Sequence, residues 1–167
     1  MSNQKKLSYL MRIIKEDPRN FSKIEDAIVK SYPCLIVQFF KNLYKCSYPT
    51  YNSSDRIARL IPEWIKEVRS IALYAVKING IYLEHFKKFN EDYEVVMYAI
   101  TNVVPGSEVL DYVSEKLFKS DVLVELAIKN GCYVQALYRS MGNLNKLSTR
   151  LRAMAITMCL SNIPYVA

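Results

Sequence analysis

S-D-V-L-V-E-L-A-I-K-N-G-C-Y-V-Q-A-L, residues 120–137, has a counterpart earlier in the same chain, R-S-I-A-L-Y-A-V-K-I-N-G-I-Y-L-E-H-F, residues 69–86. Both run through a small residue and a β-branched one, Ala127-Ile128 and Ala75-Val76. Both then reach Asn-Gly and an aromatic-aliphatic pair, Tyr133-Val134 and Tyr82-Leu83. Aligned on the alanine, the pattern extends to Ala99-Ile100 and Ala155-Ile156, so that alanines stand at positions 75, 99, 127 and 155. Near-regular recurrence of this kind marks stacked helical units, none of which can bury its apolar face alone. The alanine lets neighbouring helices approach, the β-branched residue fills the seam, and glycine after asparagine predicts a left-handed helix stop at both Gly80 and Gly131.

The rest of the chain agrees with an all-α reading. Only 4 glycines and 6 prolines occur in 167 residues, and the apolar residues rarely alternate as a strand requires. Leu7, Leu10, Met11 and Ile14 give an amphipathic helix over 3–16, stopped by Asp17-Pro18. Ser22 and Glu25 have capping-box spacing for a second helix, and Leu35, Ile36, Phe39, Phe40 and Leu43 outline a third after Pro33. Residues 46–55 are rich in turn formers and read as a loop. A helix resumes at Ser54, and one long helix is expected over 63–79. Shorter helices are predicted over 81–89, 91–103, 107–118, 121–130 and 132–141, with Asn90, Ser107 and Ser120 as N-caps, and a longer one over 144–160. The expected architecture is one all-α domain over 1–167, a compact solenoid-like stack of short helical hairpins with roughly ten helices. Residues 1–62 form its non-repeating part and 63–160 its repeats.

The segments D-Y-E-V-V-M-Y-A-I-T-N (92–102) and D-V-L-V-E-L-A-I-K-N-G (121–131) resemble an uncharacterised family of short helical repeats, and the resemblance covers about residues 63–140. Members occur in bacterial proteins, including secreted effectors of intracellular pathogens. The resemblance implies a stacked architecture and that biological setting, and it brings no catalytic residues. The chain departs from the pattern at Pro105-Gly106 and over 1–62, where no unit is recognisable.

The formal charge is +7, unevenly spread: residues 1–70 carry +6, residues 71–140 carry −2, and the segment 141–167 holds Lys146, Arg150 and Arg152 without an acid. Such asymmetry suits an acidic partner, whether a protein, a phosphoinositide surface or nucleic acid. The apolar runs fall short of the roughly 18 residues of a membrane span, and the N-terminal segment lacks the pattern of a signal peptide. A cytosolic protein is expected, or one delivered from a bacterium into a host cytosol without a cleaved signal. The cysteines at 34, 46, 132 and 159 match neither zinc-ligand spacing nor a compact disulfide framework, and Cys34, Cys132 and Cys159 sit among apolar residues as small core hydrophobes would.

No catalytic, metal-binding or cofactor-binding constellation is expected. His85, in L-E-H-F-K-K-F, lacks a nucleophile and an orienting partner and reads as a partly exposed helix residue. Glu91, Asp92 and Glu94 sit where a helix start favours carboxylates. The binding residues predicted from sequence are Lys41, Lys45, Tyr48, Tyr51, Arg56 and Arg59, a basic, tyrosine-rich stretch of the composition enriched in interface hot spots. The functional expectation is a protein-interaction module, with a basic nucleic-acid-binding protein as second reading and an enzyme of unfamiliar helical architecture as third.

Overall fold

Residues 3–46, 60–104, 108–132 and 148–161 are described by the computed structural model, and every regular element among them is helical. The chain divides into two compact units, Met1–Val68 and Arg69–Ala167.

In the first unit, α1 (Asn3–Glu16) buries Leu10 and Ile14. It packs against α3 (Cys34–Cys46) and against a 3₁₀ turn, Pro18–Lys23. The join is polar as well as apolar. Asn42 donates its side-chain amide to the carbonyl of Ile14 at 3.0 Å, satisfying an acceptor that the end of α1 leaves open, and Asn20 donates to the carbonyl of Ile13 at 3.1 Å, which also accepts from the Asp17 amide. Gln38 donates in turn to the Asn42 oxygen at 3.0 Å. Phe21 stacks on Phe39 at 4.2 Å between ring centroids, with Phe40 edge-on at 5.3 Å, and all three are buried. Truncating one such ring to alanine typically costs about 3–5 kcal/mol. Two short helices complete the unit, α2 (Asp26–Ser31) and α4 (Glu63–Lys66), and the Lys30 ammonium lies 5.0 Å over the Trp64 ring. The expected capping box does not form. Ser22 lies inside the 3₁₀ turn and donates to the Arg19 carbonyl, while Asp17 accepts from the Arg19 amide and caps that turn.

The helix expected over 63–79 is two helices. α4 ends at Lys66, and α5 (Arg69–Ile78) starts where the second unit starts. Ile65 is buried in the first unit, and Ala72, Ala75 and Val76 in the second. Their spacing stays helical across the break, so periodicity alone could not place it.

The longer helices of the second unit are α5, α6 (Tyr93–Thr101), α8 (Asp121–Lys129) and α9 (Thr149–Ser161), and α7 (Glu115–Phe118) is a single turn. Their starts, at positions 69, 93, 121 and 149, keep step with the repeated alanines, each of which holds the same place in its helix. α5 packs against α6, α6 against α8, and α8 against α9. Ala75, Ala99, Ala127 and Ala155 are all fully buried. The intervening segments are tighter than the helices expected there. Gly80–His85, Lys87–Phe89 and Val109–Tyr112 are 3₁₀ turns, and Gly80, Leu83 and Phe86 recur every third residue, the period that eclipses side chains in a 3₁₀ helix.

The two Asn-Gly pairs, read as the same stop, are different structures. Gly131 has φ of 87°, the left-handed conformation, and the Gly131 and Cys132 amides donate to the carbonyls of Ile128 and Ala127. That pair of bonds is a Schellman closure of α8. Gly80 has no positive φ. It opens a 3₁₀ turn capped by Asn79, whose side chain accepts from the Ile81 amide. Its own amide donates to the Asn102 carbonyl at 2.9 Å, and a Cβ on Gly80 would stand 1.8 Å from the Ala99 carbonyl oxygen. Glycine is required here by close approach to α6, and at Gly131 by backbone conformation.

Candidate functional site

Of the six binding residues predicted from sequence, Lys41 is exposed on α3 and Lys45 lies in the last turn of that helix. Tyr48, Tyr51, Arg56 and Arg59 lie outside the described residues. A second basic surface in the same unit lies on α1, which presents Lys5, Lys6, Arg12 and Lys15 to solvent with a single acid, Glu16, at its end. The Arg12 guanidinium sits 5.6 Å from the centroid of the exposed Tyr9 ring.

His85 is buried, only 8% exposed, within the Gly80–His85 turn, with its ring 6.4 Å from that of Tyr82. The partly exposed helix position expected for it is therefore corrected: in the three-residue period of that turn the imidazole points inward beside Tyr82. Cys34 is corrected the other way, since it is exposed at the start of α3, away from that helix's buried face. Cys132 is buried, and burial alone pushes its thiol up to about 11, which leaves it protonated and unreactive at neutral pH.

The acids at 91–94 are engaged in a helix cap and in ion pairs within the second unit. Asp92 caps α6 by accepting from the Glu94 and Val95 amides, and it receives Arg69 from the first turn of α5 in a two-pronged pair at 2.6 and 3.0 Å. Arg69 also reaches Glu94 at 2.8 Å. Arg69 holds the Asp92 carboxyl below the usual carboxylate range. Glu91 pairs with Lys116 at 2.9 Å and accepts from the Ser114 hydroxyl, and Lys116 likewise lowers its proton affinity. At the α8–α9 joint Glu125 takes Lys129 and Arg150, at 2.7 and 3.2 Å. Each of these carboxylates is occupied by a cation and a structural role. Among the described residues no group of three or more histidine, cysteine or acidic side chains is gathered as a metal site would be.

The arrangement that sequence reasoning missed lies on α9. Its inner side buries Leu151 and Ala155. Ile100 of α6 and Ile128 of α8 are buried, whereas Ile156, at the corresponding position of α9, is 46% exposed. Thr149, Ala153, Ile156 and Leu160 are all exposed, Leu160 at 63%, and their 4-3-4 spacing lines them up along one helix face. Arg150 and Arg152 fall on either side of that line, and the helix contains no acid. The signal was present in the sequence as apolar residues on two opposite sides of one helix, Leu151 and Ala155 on one and Ile156 and Leu160 on the other, a pattern that calls for burial on more than one side.

No family model, curated protein or solved structure matches this chain. The resemblance to helical repeats therefore rests on the residues quoted for it alone. Among the described residues no helix is long and apolar enough to cross a membrane.

Proposed function

We propose that this chain is a protein-interaction module whose second unit is a stack of helical repeats. The observation that carries the reading is the coincidence of two patterns. The alanines at 75, 99, 127 and 155 recur in step with the starts of the four longer helices, at 69, 93, 121 and 149, and each of these alanines is fully buried. Stacked helical units of this kind build extended surfaces by repetition, and binding is the use to which such surfaces are generally put. The net charge of +7 and the exposed lysines and arginine of α1 favour a partner with an acidic face. The bacterial setting of the family that about residues 63–140 resemble makes a small secreted effector, or a protein that binds one, the biological form of this reading.

Affinity purification with mass spectrometry, followed by reconstitution of the recovered partner with the purified chain in calorimetry, tests it. A stoichiometric complex is the expected result, weakened when Tyr48, Tyr51 and Arg56 are replaced by alanine. Failure to reconstitute any partner, together with nucleic-acid binding that falls steeply with salt, would replace this reading with the second one.

A further inference from the structure

The two Asn-Gly pairs carry a chemistry that neither of their packing roles uses. The main-chain nitrogen of the residue after an asparagine can attack the side-chain carboxamide carbon, and glycine favours this because it has no Cβ to crowd that nitrogen. The N–Cγ bond forms and the Cγ–Nδ2 bond breaks. Nδ2 leaves as ammonia, its third hydrogen balanced by the proton lost from the main-chain amide. Water then opens the cyclic imide at one carbonyl or the other, leaving aspartate or isoaspartate, with no change of oxidation state. Asn79 and Asn130 are the two asparagines of the chain that glycine follows. Asn102, at the same offset from its alanine as Asn130, is followed by Val103, whose branched side chain crowds the attacking nitrogen.

The fold holds both pairs unreactive, by different means. Asn79 has ψ of 121° and Asn130 has ψ of 16°, and at either value the side chain is turned away from the next nitrogen. Attack therefore waits until the backbone opens. At Asn79 the nitrogen belongs to the buried Gly80, whose amide is bonded across the joint to the Asn102 carbonyl at 2.9 Å, so the joint must part to free it. At Asn130 the nitrogen is held at 3.2 Å by the Ile128 carbonyl of its own helix, and Asn130 and Gly131 are both half-buried. Only the last turn of α8 has to open there, and helix ends fray at far smaller cost than packed joints part.

We propose that Asn130 is a site of spontaneous deamidation and that the reaction is a slow, one-way switch on the end of α8. The product removes what the asparagine supplies. The Asn130 side-chain amide donates to the Leu126 carbonyl at 2.8 Å, and a carboxylate in its place sets acceptor against acceptor at the negative end of the helix. Isoaspartate also adds a methylene to the main chain, which takes the Gly131 and Cys132 amides out of register with the Ile128 and Ala127 carbonyls. Ala127 and Ile128 are buried where α8 packs against its neighbours, so losing the closure loosens α8 against α6 and α9.

The test ages the full chain in mildly alkaline buffer, once folded and once in urea, and follows each asparagine by peptide mapping, with enzymatic methylation of isoaspartate as a second readout. In the folded chain Asn130 should convert at least about tenfold faster than Asn79. In urea, where both are unfolded Asn-Gly pairs, the two rates should agree within about twofold. The aged product, separated by ion exchange on its added negative charge, should exchange the Cys132 amide hydrogen faster than fresh chain does while the central amides of α6 stay protected. Asn130→Asp, which installs one product directly, should melt below the parent. Conversion of Asn79 as fast as Asn130 in the folded chain, or conversion of Asn130 in urea alone, overturns the site. Conversion at Asn130 with unchanged exchange at Cys132, or an Asn130→Asp chain that melts with the parent, overturns the switch.

Discussion

Asn79-Gly80 and Asn130-Gly131 are the same dipeptide after equivalent helices, yet the first joins two neighbouring helical units and the second closes one. One residue makes the difference. Asparagine lies three positions after the buried alanine in α6 and α8, at Asn102 and Asn130, and each of these donates its side-chain amide to the carbonyl four residues back at 2.8 Å. In α5 it lies four positions after Ala75, beyond the helix, where its oxygen caps the next turn instead. Geometry therefore pairs Asn130 with Asn102, although Val103 and not glycine follows the latter. A short motif reports the residue types that a site tolerates, and its offset from the packing residues decides what it does.

Adding one methyl group at each glycine tests this contrast most severely. Gly80→Ala places Cβ inside contact distance of backbone at Ala99, which cannot yield as a flexible side chain could. A loss of about 3 kcal/mol or more in urea unfolding is expected, at the upper end of overpacking effects. Gly131→Ala forces alanine into the left-handed region and should cost about 1–2 kcal/mol, with Gly131→Asn milder because asparagine visits that region more readily. Asn79→Ala removes the cap on the Gly80–His85 turn, for about 1 kcal/mol. A ranking with Gly131 above Gly80 would contradict the assignment of close approach to one and conformation to the other.

The smallest effect concerns the joint beside Gly80. Asp92 is lowered chiefly by its bond from Arg69, so its contribution is complete above the ordinary aspartate value near 3.8 and is lost as pH falls through the lower folded value. Melting temperature should therefore drop in acid below about pH 4, through Asp92 and through Glu91 and Glu125, which are lowered in the same way. Asp92→Asn should reduce both the neutral-pH stability and the size of that acid loss. Arg69 is about half exposed and Asp92 less so, which leaves the pair open to solvent screening, and a change of a few degrees is the expected scale.

Much of the architecture was legible because apolar periodicity records burial. Leu10 and Ile14, Phe39 and Phe40, and the four seam alanines are buried as their spacing implies. The break after Lys66 was hidden because the apolar spacing continues through it while the buried residues belong to two different units. The 3₁₀ turns were written as a three-residue period in Gly80, Leu83 and Phe86, which a search for helical periodicity passes over. At the candidate sites, composition located the basic, tyrosine-rich stretch, and only Lys41 and Lys45 of it fall among described residues. The α9 face was illegible for a different reason: with apolar residues on two opposite sides, the sequence of that helix does not say which side its neighbour covers.

The Gly80 amide reports most directly on whether neighbouring units meet where the structure places them. It donates across the joint to the Asn102 carbonyl at 2.9 Å and lies in a buried residue, so its hydrogen exchange should be as slow as that of the central amides of α6 and should track unfolding of the whole second unit. Exchange at the rate of an ordinary exposed turn amide, with α6 still protected, would show that Asn79-Gly80 is only a turn and that the stacked joint does not exist.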